Sequence, residues 1–268
     1  MSPGTLHIVG LGPGGADHRT PAAARAVAEA EVVVGYTTYV DAVADLLRAG
    51  QRVVRGVMGE EDRRADEALV LAAEGARVAL VSSGDAGVHG MAARTLARAA
   101  ELEAHERPVI VVVPGVSAAQ AAAALAGAPL TDDFAVVSLS DIHAPWSRVE
   151  RRLTALAGSG LALALYNPRS SRRTEGFDRA VAILRAARPD DTPVVLAHDV
   201  ARPGELVERT TLADLDPERV TMRTVVLVAG DTAAAVGPWL VALRGRGDGS
   251  RHALPAAALE APAGGQSP

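Results

Sequence analysis

Short runs of aliphatic and β-branched residues recur along this chain, separated by alanine-rich stretches, and that alternation limits the fold more than any other feature. The runs have strand length, and the stretches between them have room for two or three helical turns. Such a rhythm builds α/β units with largely parallel sheets. It predicts strands near Leu6–Gly10, Glu31–Gly35, Gln51–Val54, Arg77–Val81 and Val109–Val113, with helices near Pro21–Ala30, Tyr39–Arg48, Asp62–Glu74 and Ala92–Glu106. Pro114-Gly115 then punctuates, and a helix ends at Gly127. A second series follows at Phe134–Leu139, Leu161–Tyr166 and Pro193–Ala197, with a hairpin around Leu206–Leu212 and a last strand at Thr224–Ala229. The reading is therefore of two α/β domains, 1–115 and 116–245. A tail over 246–268, rich in turn formers and without periodicity, is expected to be disordered.

Two units joined without a long linker predict a cleft between them, since domain junctions and the carboxyl ends of parallel strands are the usual ligand sites. Unusual loops fall at those strand ends: Gly10–Gly15, Ser83–Gly90, Pro114–Ala118, Ser138–Trp146 and Tyr166–Arg173.

Composition removes several chemistries. The chain has 268 residues and no cysteine, so disulfides, zinc–thiolate sites, a cysteine nucleophile and a cysteine-bound iron–sulfur cluster are excluded within it. Lysine is also missing, which excludes a Schiff base and a P-loop lysine; every Lys-or-Arg position is arginine. Biased codon usage explains the arginine number, so only where arginines cluster carries meaning. A net charge of -5 argues against bulk nucleic-acid binding. No apolar run reaches membrane-spanning length and no secretory signal is visible, so a cytoplasmic enzyme without membrane contact is expected. No metal site is expected.

The segment GLGPGG after the first strand satisfies G-x-G-x-x-G through Gly10, Gly12 and Gly15, with Glu29 and Glu31 where a ribose-binding acid would stand. On pattern alone this is a nicotinamide or flavin site. The helix-start signal, however, is Thr20-Pro21, an N-cap followed by proline at the first helical position. A helix delayed that far cannot aim its amides at a phosphate held by the glycines. Pro13 also stiffens the loop and removes a donor.

Three segments carry a resemblance: GLGPGG, SSGDAGVHGMA at 82–92 and PGVSAAQAAAALAGAPL at 114–130 resemble the tetrapyrrole methylases. Within that family, VSLSDIHAPW at 137–146, LYNPRSSRR at 165–173 and AHDVARPGE at 197–205 look like the branch that methylates precorrin-3B at C17 in cobalamin synthesis. The likeness runs from about Leu6 to Asp231. It implies an unusual two-domain α/β fold with the active-site cleft between the domains, S-adenosylmethionine (SAM) as methyl donor, a precorrin macrocycle as substrate and a homodimer. Ala86 and His89 depart from the family's proline and tyrosine in G-D-P-G-x-Y-G. A role tied to that tyrosine therefore does not carry over.

The resemblance also implies site residues. Ser83, Gly84, Asp85 and Val88 match the loop that lines the donor site, and Ser117 and Ala118 match a second donor contact at a helix start. Tyr166, Asn167, Ala197, His198 and Thr224 match donor positions at strand ends, and Pro13 joins them from the glycine loop. Gly12 in that loop and Arg169, Arg172 and Arg173 are read as macrocycle contacts. The family's substrate bears acetate and propionate groups, which guanidinium forks suit. Ring contraction needs proton transfers, for which Asp141, His143 and His89 are candidates. Trp146 is read as a helix anchor rather than a stacking platform. Methyl transfer from a sulfonium needs orientation and exclusion of water more than a covalent nucleophile, and glycine-rich loops suit that task. The alternatives are C11 or C20 methyl transfer on the same fold, a nicotinamide oxidoreductase, and a tetrapyrrole carrier.

Overall fold

A computed structural model describes residues 3–142, 144–170 and 173–243. The chain divides into two compact units, Met1–Ala118 and Ala119–Pro268. His143, Arg172 and the 246–268 segment lie outside the described residues.

The first unit runs β1 (Thr5–Gly10), α1 (Pro21–Glu29), β2 (Val32–Tyr36), α2 (Thr37–Asp41), β3 (Arg52–Gly56), α3 (Glu61–Ala73), β4 (Arg77–Ser82), α4 (Ala92–Ala99) and β5 (Val109–Val113). All five strands are parallel, in the order β3-β2-β4-β1-β5. Strand pleating sends alternate residues to opposite faces. Leu6, Ile8, Val78 and Leu80 meet α3 and α4 through Ala65, Ala68, Leu69 and Ala92. Val9, Val33, Ala79 and Val81 meet α1 through Ala23, Ala26 and Val27. Helices therefore cover both faces, as continuous hydrophobic parallel strands require.

Two expected helices are shorter than the sequence suggests, and in both cases an arginine takes the carbonyl at the break. Arg19 donates to Ala42 O at 2.8 Å while pairing with Asp45, so the Tyr39–Arg48 stretch becomes α2 followed by a 3-10 turn over Ala44–Leu46. Arg107 donates to Ala99 O and Leu102 O at 2.9 Å, and α4 stops at Ala99 rather than running on to Glu106.

The second unit opens with α5 (Ala118–Ala126), whose first residue precedes the division. It continues through β6 (Gly127–Ala128), β7 (Phe134–Ser138), α6 (Trp146–Ala157), β8 (Ala162–Tyr166), α7 (Glu175–Ala187), β9 (Pro193–His198), β10 (Leu206–Thr211), β11 (Thr224–Val228), β12 (Ala233–Val236) and β13 (Trp239–Ala242). Its main sheet has the order β10-β9-β11-β8-β7. Here the expectation of a largely parallel sheet is corrected. Only β7 and β8 pair in parallel; β11 sits antiparallel between β8 and β9, and β10 closes an antiparallel hairpin with β9. Strands buried on both faces carry no alternation, so their direction is not legible in composition.

A small sheet, β12-β13-β6, was not anticipated. Gly237 at φ 58° begins its two-residue turn, with Pro238 second, and glycine in that first position is a recognised hairpin signal. Arg188 ties the second unit together. Its guanidinium donates to the carbonyls of Ala157 (3.0 Å), Ala229 (2.7 Å), Leu161 (2.8 Å) and Leu156 (3.3 Å). Burial lowers its pKa, and Asp231 acts in the opposite direction.

Candidate active site

In the first unit the chain leaves β1 toward β2 and leaves β4 toward β5, in opposite directions along the sheet. The point where neighbouring strands diverge is where open α/β sheets place their ligands, outside the carboxyl ends. The loops leaving β1, β4 and β5 meet there backbone against backbone. A Cβ on Gly10 would stand 2.7 Å from Gly115 N and 2.8 Å from Gly84 O, and one on Gly115 would stand 2.2 Å from Gly84 O. Gly12 and Gly84 exchange both backbone hydrogen bonds, at 3.0 and 2.7 Å. Gly10 and Gly115 were not picked out as site residues from sequence; their signal was the glycine itself, at two strand ends.

Asp85 fastens this junction. Its Oδ1 accepts from Gly87 N at 2.7 Å and its Oδ2 from Gly115 N at 2.9 Å. Gly84 differs from its neighbours: it holds φ 63°, yet a Cβ there meets only Ala118 N, at 3.8 Å. A methyl would therefore fit on its free side in ordinary contact, although the residue itself is buried. Val88 is exposed on the same loop, whereas Ala86, at the family's proline position, is fully buried against Met91 and Ala92. His89 stands at φ 54°. Nearby protein atoms desolvate its ring and lower its pKa, although much of the residue still meets solvent. The delayed helix start is present: Thr20 Oγ1 caps α1 by accepting from Ala23 N at 3.1 Å, after a 3-10 turn over Ala16–His18.

In the second unit β7, β8 and β9 end at one edge of the sheet, where β11 begins. Ser138 lies beside Tyr166 and Thr224 opposite His198, so the strand-end candidates of this unit share that edge. The pleat then separates them. Leu165, Leu196 and Val226 point into the helix-covered core, so Tyr166 and Ala197 take the other face. Tyr166 Oη accepts from Ala119 N at 2.7 Å, at the start of α5. Asn167, at φ 51°, donates to Ser138 Oγ at 3.1 Å.

His198 and Thr224 turn their side chains toward the helix-covered face and toward each other. Thr224 Oγ1 accepts from Thr221 N at 3.0 Å and lies 2.9 Å from His198 Nδ1. His198 Nε2 is 3.3 Å from Glu208 Oε1, close enough for attraction but out of line for a hydrogen bond.

The arginines divide as well. Arg169, with an 11% exposed side chain, is held by Glu218 and by Asp178 at 3.4 Å. Two carboxylates already occupy the fork expected to grip a substrate. Arg173 faces Asp141 at 3.6 Å and Met222 Sδ at 3.3 Å. Trp146 begins α6 beneath the Arg179 guanidinium, 5.0 Å from the ring centroid, and backs onto Gly176, which suits an anchor.

The model of the family Tetrapyrrole (Corrin/Porphyrin) Methylases matches residues 5–216. The chain belongs to this family. Among tetrapyrrole methylases it is similar to the precorrin-3B C(17)-methyltransferase of Sinorhizobium sp, at 41% identity over 226 residues, covering 84% of this chain and 88% of that one. It is 37% identical over 244 residues to the cobalt-factor III methyltransferase of Priestia megaterium; that match takes in 90% of this chain but 45% of the relative, so the chain spans about half that protein's length. The solved structure of the methyltransferase CobJ superposes with a TM-score of 0.85 at 40% identity, covering 90% of this chain and all of that one. Members of the family use SAM. Among the described residues no helix is long and apolar enough to cross a membrane.

Proposed function

We propose that this tetrapyrrole methylase is a cytoplasmic SAM-dependent enzyme of cobalamin biosynthesis. It methylates precorrin-3B, or its cobalt form, at C17 with contraction of the ring to precorrin-4. The observation that supports this best is the junction of Gly10, Gly84 and Gly115 at the point of strand divergence, where of the three glycines only Gly84 has room for a Cβ. A bulky adenosine can approach main chain there without meeting a side chain.

Gly84, Ser83, Asp85, Val88 and Pro13, with Ser117 and Ala118, would contact the donor, as would Tyr166, Asn167 and Ala197 with His198 and Thr224. SAM supplies an electrophilic methyl with its own leaving group. The protein's residues orient, and exclude water. Asp85 keeps the loops in register by occupying two amides, and Tyr166 fixes the start of α5. Gly12, Arg172 and Arg173 would contact the macrocycle, and His89 and His143 would move protons during contraction. The partner of the chain, on this reading, is a second copy. Among the described residues β5 pairs on one side only, and Val109, Val111 and Val112 are exposed on it.

The test is mass analysis of the product from labelled donor with purified precorrin-3B and, separately, its cobalt form. One added methyl on a contracted ring is expected. Methylation at C11 or C20 would assign the chain to another step, and failure to bind S-adenosylhomocysteine would remove methyl transfer altogether.

A further inference from the structure

Arg173 stands in an unusual position for a cation. Its side chain is 20% exposed, yet among the described residues its guanidinium has one carboxylate at 3.6 Å and one thioether at 3.3 Å. The carboxylate distance lies outside hydrogen-bond reach, so the pair with Asp141 is Coulombic only. A guanidinium offers five N–H donors. Arg169, a few residues away, shows the contrast, with two carboxylates on its fork.

The root of Arg173 is fixed. Ser170 N donates to Arg173 O at 3.0 Å, and Arg173 N donates to Ser170 Oγ at 3.1 Å. Its partner is not confined in the same way, because the Asp141 side chain is 48% exposed. The acid can turn into water at little cost, while the main chain that carries the arginine stays in place. Apolar surface flanks the pair: Ile142, next in the chain after Asp141, is 67% exposed, and Met222 is 42% exposed. A guanidinium whose free donors face solvent rather than a carboxylate, beside exposed apolar atoms, suits an anionic group carried on an apolar body.

We propose that Asp141 is a resident counter-ion for Arg173, displaced when a substrate carboxylate takes the fork, and not a proton-transfer group. The inference rests on the proposed macrocyclic substrate. Asp141 is then a positioning residue: it keeps the guanidinium at the mouth of its subsite and leaves when the bidentate ligand arrives. Exchange of a long ion pair for a hydrogen-bonded one favours the ligand.

Binding of precorrin-3B to the full chain, followed by absorbance with S-adenosylhomocysteine present, tests this in Asp141→Asn, Arg173→Ala and the double variant. Arg173→Gln serves if the alanine variant does not fold. Removing the competing carboxylate should tighten the macrocycle about two- to fivefold. Loss of Arg173 should weaken it by about tenfold to a hundredfold. The double variant should match the loss of Arg173 alone, because Asp141 acts only through that residue. An Asp141→Asn enzyme that binds normally but turns over about a hundredfold more slowly overturns the proposal, as does an Asp141 effect that persists without Arg173. Wild-type protein that binds S-adenosylhomocysteine and no macrocycle overturns the substrate reading itself, and this inference with it.

Discussion

Replacing Gly84 and Gly115 one at a time by alanine separates a glycine kept for a ligand from one kept for the fold. At Gly84 the backbone sits at φ 63°, and the nearest atom to a new Cβ is Ala118 N at 3.8 Å. The added methyl meets ordinary contact distance, so the cost is conformational, about 1–2 kcal/mol for an L-residue in the left-handed region. A domain stable by roughly 5–15 kcal/mol tolerates that loss. At Gly115 the same methyl stands 2.2 Å from Gly84 O and 2.7 Å from both the carbon and the oxygen of the Gly10 carbonyl. Main chain cannot yield as a flexible side chain does, so we expect at least the upper part of the roughly 1–3 kcal/mol range for overpacking. Thermal denaturation should show Gly84→Ala melting a few degrees below wild type and Gly115→Ala much lower or unfolded. Calorimetric titration with S-adenosylhomocysteine should then show at least a tenfold loss for the well-folded Gly84→Ala. If that variant binds like wild type, the space beside Gly84 is not the donor's. If Gly115→Ala is as stable as Gly84→Ala, the backbone junction is not the constraint described here.

Other expectations concern single residues. Asp85→Asn turns an acceptor of two amides into an acceptor of one, with an N–H set against an N–H, and should cost about 1–3 kcal/mol by chemical denaturation while weakening S-adenosylhomocysteine. Arg188→Met strands backbone carbonyls that now have a donor and should destabilise the protein by about 3 kcal/mol, with donor affinity within twofold of wild type; Arg188→Lys should rescue little, because one ammonium cannot serve that spread of carbonyls. For His89, desolvation lowers the folded-state pKa. The unfolded chain therefore takes up its proton first as pH falls, so this contribution to stability is present above about pH 6.5 and is lost below it. Denaturation midpoints between neutral and mildly acidic pH should fall less in His89→Asn, a residue that tolerates the left-handed backbone, and parallel curves for the two proteins would remove the effect.

Much of the first unit was legible because its strands and helices have distinct composition, and Thr20-Pro21 marked a helix start that the structure has. The lengths of α2 and α4 were not, since the guanidiniums that end them come from Arg19, well before one break, and from Arg107, beyond the other. Strand direction in the second unit was hidden because ALALY, PVVLAH and TVVLV are buried on both faces and look alike either way. Codon usage accounts for the arginine total but not for where the arginines stand. Arg107, Arg185 and Arg188 each gather three or more main-chain carbonyls, work that the planar fork does and lysine does not. At the candidate site, family-matched positions fell at strand ends, but pleat direction decided which side chains stand together. Tyr166 and Ala197 part company with His198 and Thr224 for a reason that only register supplies.

The meeting of Gly10, Gly84 and Gly115 also bears on how such a protein can diverge. At Gly10 and Gly115 a joint made of main chain offers selection nothing to resize: a side chain at either would meet backbone. Drift at those two positions has to move main chain on the facing loop as well. Novelty is thereby steered to outward-facing neighbours such as Val88 and His89, where chemistry can vary while the backbone joint stays as it is.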